Sequence, residues 1–234
     1  MLNKPNTIFS FWFGDPNMTP NRELCYQQLT HSLKIQNIEH ILITPENINN
    51  YMTPSNQPLH PAFPYLSATH KADYLRCYFM HHIGGGYTDI KQHDRPWQPA
   101  FDRIQYQSHI WFSGYREPDP GGVAPVKEPI LYDTLKMNYR DLIGTSNFIC
   151  RPRTPFTEEW FSQVNQILYD KLADLEKWPA RHPREGAQDG LDVQYPYPIE
   201  WTEILGNIFH PLVYKYREHA DYHCPQFSSS QYWR

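Results

Sequence analysis

The chain has 234 residues, 40% hydrophobic and 15% aromatic, which is typical of one globular domain and excludes a disordered protein. Its net charge of −4 excludes the basic surface of a nucleic-acid-binding protein, so an anionic ligand would depend on local cations. We expect no transmembrane segment and no secretion signal, because no apolar run approaches the ~20 residues that span a bilayer. Four widely spaced cysteines without a paired motif favour a cytoplasmic protein without disulfides.

Strands and helices alternate along the first part of the chain. In chain order, the hydrophobic periodicity and the helix-start and helix-stop residues predict a strand over 7–14, a helix over 19–34, a strand over 40–44, a helix over 69–83, strands over 86–91, 109–115 and 145–151, and a long helix over 154–178. The alternation predicts an α/β fold over residues 1–234, with a mostly parallel central sheet flanked by helices. The polar, proline-bearing stretch 179–198 is predicted to be a loop over the active face.

The segment KADYLRCYFMHHIGGGYTDIK, residues 71–91, carries the most informative polar residues. Asp73 and Arg76 are three residues apart on the predicted helix and are therefore neighbours on one face. The glycines at 84–86 permit positive φ and the close approach of a backbone or a ligand, although such a turn is often only a helix stop.

On the strand that follows, alternation sends Tyr87, Asp89 and Lys91 to the same face. Open α/β sheets bind ligands at strand ends of this kind, so the acidic and basic side chains indicate a ligand site. A purely structural ion pair between Asp89 and Lys91 is the alternative.

These motifs resemble those of the DXD sugar-binding-region glycosyltransferases, which are glycosyltransferase family 32 and include capsular polysaccharide synthesis proteins. The family pattern has an Asp, an Arg three residues later, a Gly-Gly turn, an aromatic residue and Asp-x-Asp. The stretch IFSFWFGD, residues 8–15, resembles the family's first strand, and GTSNFICRPRTPF, residues 144–156, resembles a later segment. The resemblance is good over roughly the first 95 residues and thin beyond residue 160.

The resemblance implies a GT-A type fold and the retaining transfer of a sugar from a nucleoside diphosphate donor, usually UDP-linked, to a saccharide or glycolipid acceptor. A lipid-linked acceptor would place the protein at the inner face of the membrane. Asp89 and Lys91 are the implied catalytic positions. The implied donor-binding residues are Trp12, Asp73, Arg76, Gly85, Gly86, Tyr87, Asn147 and Trp233.

Several of these residues have an implied role and a structural alternative. Trp12 would stack on the base, unless it is a core tryptophan. Asp73 and Arg76 would hydrogen-bond the donor sugar and ribose. Asn147 would contact the sugar or acceptor, unless it is a structural asparagine. Trp233 would close over the diphosphate, unless the tail is disordered.

Lys91 departs from the family pattern, in which a second carboxylate holds a divalent cation. A protonated lysine cannot ligate Mg²⁺ or Mn²⁺, so two outcomes remain. The ammonium group replaces the ion beside the diphosphate, which we favour, or Asp89 keeps the ion with another ligand such as His93, Asp94 or a C-terminal histidine.

Three further interpretations compete with the transferase. The first is a transferase-like protein that binds nucleotide or glycan without turnover, which the change at Lys91 keeps open. The second is a metal-dependent hydrolase, which the N-terminal motif does not favour. The third is structural zinc at His219, His223 and Cys224, with His210 upstream, a set whose spacing lacks a second ligand pair.

Overall fold

A computed structural model describes residues 6–52, 58–187 and 194–227 of the chain. Trp233, which was expected to contact the donor, lies outside the described residues. None of the described helices is long and apolar enough to cross a membrane. All four cysteines are buried, and none of them forms a disulfide.

Six strands of the described chain form one mixed sheet with the spatial order β2-β1-β3-β5-β4-β6. The strands are β1 (Asn6–Phe11), β2 (Ile38–Ile43), β3 (Gly85–Thr88), β4 (Phe112–Arg116), β5 (Ile143–Cys150) and β6 (Ala220–Asp221). β1 pairs in parallel with β2 and β3, β5 is antiparallel to β3 and β4, and β6 is parallel to β4. Every strand except β5 therefore runs in the same direction, which confirms the predicted α/β class and mostly parallel sheet.

Seven α-helices of the described chain flank this sheet. They are α1 (Pro20–Ile35), α2 (Ala68–His82), α3 (Gln98–Tyr106), α4 (Pro129–Met137), α5 (Pro155–Asp170), α6 (Leu172–Lys177) and α7 (Gly206–Lys215). Helix α1 starts as predicted, with Thr19 as N-cap and Pro20 in the first turn. Helix α2 begins slightly earlier than predicted, because Ser67 caps it by accepting a hydrogen bond from the His70 amide.

Apolar side chains pack on both faces of the sheet. On one face, residues of α2, α5 and α7 such as Phe79, Trp160 and Phe209 form the larger cluster. On the other face, Leu33 of α1 and Phe101 of α3 belong to a second cluster. The helices of the two clusters hold the sheet between them.

Two predicted elements end earlier in the structure than in the prediction. The strand predicted over 86–91 ends at Thr88. The Asp89 amide still donates to the Ser146 carbonyl opposite it, and the chain bends away from the sheet at residues 90 and 91. The helix predicted over 154–178 is two helices that meet at Lys171. The ammonium of Lys171 binds the Pro198 carbonyl at 2.6 Å, a tertiary contact that a helical periodicity does not reveal.

Candidate functional site

The polar residues singled out in the sequence meet at the carboxyl edge of the parallel strands. Trp12 directly follows β1, and Asp89 directly follows β3. Thr145 and Ser146 reach the same edge from the other direction, because β5 runs antiparallel and begins there. Ligand sites of open α/β sheets lie at this edge, where strand ends leave a crevice.

The crevice has two adjoining lobes, which share Thr69, Arg76, Asp89 and Trp201. The larger lobe has a volume of about 880 Å³ and extends past Trp12 and the residues that follow β1. The smaller lobe has a volume of about 300 Å³ and extends between β5, α7 and the segment 121–125. A cleft of this combined size accommodates a ligand of drug or cofactor dimensions.

Asp89 is the central carboxylate of the cleft, and both of its oxygens are engaged. Oδ1 accepts a hydrogen bond from the Tyr87 hydroxyl at 2.6 Å and contacts Arg76 Nη2 at 3.4 Å. Oδ2 pairs with Lys91 Nζ at 2.8 Å. Burial by itself would raise the pKa of Asp89, but the neighbouring cations Lys91 and Arg76 outweigh it and lower the pKa to about 2.

Arg76 joins the two carboxylates of the cleft. Its guanidinium contacts Asp73 Oδ1 at 3.4 Å, donates to the Thr145 carbonyl at 3.2 Å and lies 4.3 Å from the centre of the Tyr87 ring. Burial raises the pKa of Asp73 to about 6, an effect that Arg76 opposes and Asp89 reinforces. A buried carboxylate with a perturbed pKa in a cleft is typical of a functional site.

Lys91 lines the larger lobe and is held from two sides. Its ammonium pairs with Asp89 and lies 4.1 Å from the centre of the Phe227 ring, so the lysine side chain is only 14% exposed. Arg22, Arg76 and Arg184 line the same lobe. Among the described residues, Asp89 is the one acidic side chain in this lining. The larger lobe therefore carries an excess of positive charge that suits an anionic ligand.

Trp12 borders the larger lobe with a fixed indole ring. Its backbone amide donates to the Ile43 carbonyl at 2.9 Å, and its indole Nε1–H donates to the Asp15 carbonyl at 2.6 Å. The ring is half-buried and lies outside the two buried clusters, so it is not the core tryptophan of the alternative interpretation.

Gly85 and Gly86, expected in donor binding, do not line either lobe. Gly85 has φ of +87°, and a Cβ there would lie 2.8 Å from the Thr7 carbonyl oxygen of β1. A Cβ on Gly86 would lie 3.0 Å from Ile8 Cγ1. These two glycines allow β3 to approach β1 closely, so their place in the structure is at a strand contact.

Asn147, also expected near the donor, lies within β5 and is fully buried. Its Nδ2 donates to the Pro225 carbonyl at 2.5 Å, and its Oδ1 has no hydrogen-bond partner among the described residues. The residue anchors the C-terminal segment to the sheet and lines neither lobe. That segment continues to Phe227, whose ring lies beside Lys91, so Asn147 helps to position a neighbour of the cleft without lining it.

In the part of the chain that the structure describes, the suggested metal ligands around Asp89 already have protein partners. Both carboxylate oxygens of Asp89 already contact a lysine, an arginine or a tyrosine hydroxyl. His93 accepts a hydrogen bond from Trp97 Nε1 at 3.2 Å, and its other ring nitrogen forms a hydrogen bond with Thr88 Oγ1 at 2.9 Å. Burial lowers the pKa of His93 to about 4. Asp94, the other suggested ligand, binds the Gln226 amide at 2.8 Å.

The C-terminal histidines have protein partners as well. His219 Nδ1 contacts the His109 carbonyl oxygen at 2.8 Å, and His223 Nδ1 pairs with Asp221 at 2.8 Å. In the parts of the chain that the structure describes, no group of three or more His, Cys, Asp or Glu side chains could hold a metal ion.

The sequence alone did not reveal three residues of the cleft. Arg22 lies in the first turn of α1, donates to the Ile90 carbonyl at 2.8 Å and lines the larger lobe. Its place in the sequence shortly after β1 is the signal that could have indicated this location. Arg184 reaches the same lobe from the segment 179–187, in agreement with the predicted loop over this face. Trp201 lines both lobes, and no local pattern marks it.

Comparisons of the chain with models of known protein families, with curated proteins and with solved structures find no match.

Proposed function

We propose that the protein is a glycosyltransferase that moves a sugar from a UDP-linked donor to a saccharide or lipid-linked acceptor, with retention, in the synthesis of a surface polysaccharide. One observation carries the proposal. Arg76, Asp89 and Lys91 form a compact charged cluster at the end of a parallel strand, in a cleft with excess positive charge and a fixed indole at its border. The resemblance of the sequence motifs to family 32 agrees with this arrangement, and the α/β sheet is compatible with a GT-A type fold.

In this proposal the donor lies along the larger lobe. The base stacks on the indole of Trp12, since an aromatic face suits a flat heterocycle. The diphosphate lies beside Lys91, with the guanidinium groups of Arg22 and Arg184 as further donors. The sugar extends towards Asp73 and Arg76, which bind its hydroxyl groups.

The chemistry demands that the cleft stabilise the charge that develops on the departing diphosphate. Lys91 supplies one fixed positive charge at the place where the family pattern has a metal-binding carboxylate. At ~4 Å and an effective dielectric constant near 20, attraction to a phosphate charge is on the order of 4 kcal/mol before desolvation. Asp89 holds Lys91 in place, so transfer proceeds without a divalent cation. The departing phosphate accepts the proton of the acceptor hydroxyl, and no protein nucleophile is needed.

A second candidate is a protein of the same fold that binds nucleotide or glycan without turnover. The observation that favours it is the ion pair between Asp89 and Lys91. Each of the two charges is neutralised by the other, so neither needs a ligand of opposite charge. Transfer and binding differ in one measurable respect, because only the transferase forms a product that depends on added acceptor.

The test is calorimetric titration of UDP, GDP and CDP, each in Mn²⁺ and in EDTA, into the native protein and Asp89→Asn. Asp133→Asn is the matched control, because its carboxylate is 68% exposed on the surface helix α4. We expect selective UDP binding in EDTA that is lost in Asp89→Asn and kept in the control. Release of UDP from a UDP-sugar is then measured with and without saccharide acceptors.

Each result has a clear consequence for the two candidates. Binding of UDP with acceptor-dependent release supports the transferase. Binding without release favours the binding protein, and release that is indifferent to acceptor favours a hydrolase. Strict dependence of binding on Mn²⁺ would contradict the role given to Lys91, and no binding of any nucleotide would overturn the proposed function.

A further inference from the structure

Part of the wall of the smaller lobe is built from residues with little or no side chain, which lets the segments that form it pack closely. Gly121, Gly122, Ala124 and Gly206 line it. A Cβ on Gly206 would lie 2.5 Å from the Cβ of Ala124, and one on Gly122 would collide with the carboxylate of Glu117. The lobe is therefore a defined depression of the fold.

A buried histidine fixes one of these walls. His210 of α7 is 1% exposed, and its Nδ1 accepts the Ala124 amide proton at 3.0 Å. Because Nδ1 acts as the acceptor, Nε2 carries the proton of the neutral ring, and it lies 3.5 Å from Glu117 Oε1. These contacts hold the segment 121–125 against α7, so the shape of the lobe is set before any ligand enters.

The facing wall combines a carboxylate with hydroxyl groups. Asp73 is 3% exposed and lines the smaller lobe, together with Thr145, Ser146 and Thr202. Carboxylate and hydroxyl groups are acceptors and donors that match the hydroxyl groups of a sugar. The charged lining of the larger lobe has a different chemistry, since four cationic side chains line it.

Trp201 adds an apolar face at the junction of the two lobes. Its side chain belongs to both linings and 36% of the residue is exposed, although it is a large hydrophobic residue. Neighbouring contacts fix its segment: Glu203 pairs with Lys171 at 2.7 Å, and the Tyr197 hydroxyl contacts His70 Nδ1 at 2.9 Å. A large aromatic ring that remains partly exposed inside a polar cleft points to a ligand with one apolar face.

We infer that the smaller lobe is a pyranose-binding subsite in which Trp201 stacks on the apolar C–H face of the ring. This inference rests on the proposed function, which it extends by assigning the binding face for the sugar. The pyranose is either the sugar of the donor or the terminal unit of the acceptor, because both carry the same chemistry.

The test measures the contribution of the sugar to binding in two arms. In the donor arm, UDP is compared by calorimetry with UDP-glucose, UDP-galactose and UDP-N-acetylglucosamine. In the acceptor arm, the methyl glycosides of these sugars are titrated into protein saturated with UDP. Both arms use the native protein, Trp201→Ala, Trp201→Phe and Trp178→Ala, the last being a half-buried tryptophan outside both lobes.

We expect the sugar contribution in one arm to fall about tenfold in Trp201→Ala, to recover largely in Trp201→Phe and to persist in Trp178→Ala. The affinity for UDP alone is measured for each variant, and the sugar contribution is the difference between UDP-sugar and UDP in the same variant. The arm that responds identifies the pyranose as donor or acceptor. A sugar contribution that Trp201→Ala leaves intact, or none in either arm although UDP binds, would overturn this inference alone. Failure of UDP to bind would overturn the proposed function and this inference together.

Discussion

Replacing Lys91 by methionine removes one ammonium group from the larger lobe and nearly preserves the length of the side chain. In the native protein this ammonium lies 2.8 Å from Asp89 Oδ2, in a pair whose side chains are 14% and 22% exposed. After the substitution Asp89 keeps the Tyr87 hydroxyl at 2.6 Å and Arg76 at 3.4 Å. The carboxylate therefore stays ionised, but it faces the lobe with less compensation.

The expected loss follows from this geometry. A hydrogen bond to a charged group contributes about 1.5–3 kcal/mol, and each 1.4 kcal/mol corresponds to a tenfold change in affinity. Lys91→Met should therefore weaken UDP binding in EDTA by about 10- to 100-fold, nearer the upper value because Asp89 then repels the diphosphate. Uridine has no phosphate, so its affinity should remain unchanged.

Calorimetric titration of UDP and uridine into the same protein preparations measures both quantities. Lys136→Met is the matched control, because this lysine pairs with Asp133 on the exposed surface of α4. Denaturant unfolding of each variant shows whether the fold is kept. The reasoning would be refuted if Lys91→Met left UDP binding unchanged, or if UDP and uridine lost affinity equally.

Three other predictions concern the charge pattern, the pH dependence and the backbone. Lys91→Asp restores the DXD spacing after Asp89, so UDP binding should become dependent on Mn²⁺; an unchanged response to Mn²⁺ in calorimetry would contradict this. The pKa of Asp73 is raised to about 6 in the folded protein from ~3.9 unfolded, so the contribution of Asp73 to the free energy of unfolding should fall as pH rises from 4 to 6. The difference in the free energy of unfolding between the native protein and Asp73→Asn in urea titrations isolates this fall, because Asp89 and the buried histidines, whose pKa values are lowered, are present in both proteins. Gly85→Ala should destabilise the fold by about 1–3 kcal/mol, because φ is +87° and the new Cβ would collide with β1. Gly14→Ala is the control, because nothing lies within 4 Å of a Cβ at that position. Equal unfolding midpoints of the two variants would contradict the reasoning.

Residue types at short spacing were sufficient to predict much of the framework. The N-cap at Thr19, the helix with Asp73 and Arg76, and the glycine stop at Gly84 all appear in the structure near the predicted positions. These features depend on hydrogen bonds and packing within a few residues, so a short window of sequence contains their cause. An ion pair between Asp89 and Lys91 was also predicted from the sequence, as the alternative to a ligand site. In an extended chain, side chains two residues apart lie on the same face and can contact each other.

The sequence by itself thus determined the α/β class, the order of the main elements and the strand end that carries Asp89. Only the tertiary structure decided what surrounds that strand end. Gly85 proved to serve a strand contact, Asn147 proved to anchor the C-terminal segment, and Trp201 proved to border both lobes. The physical reason is distance along the chain: each of these contacts joins residues that are tens of positions apart, and only the packing of the helices on the sheet brings them together.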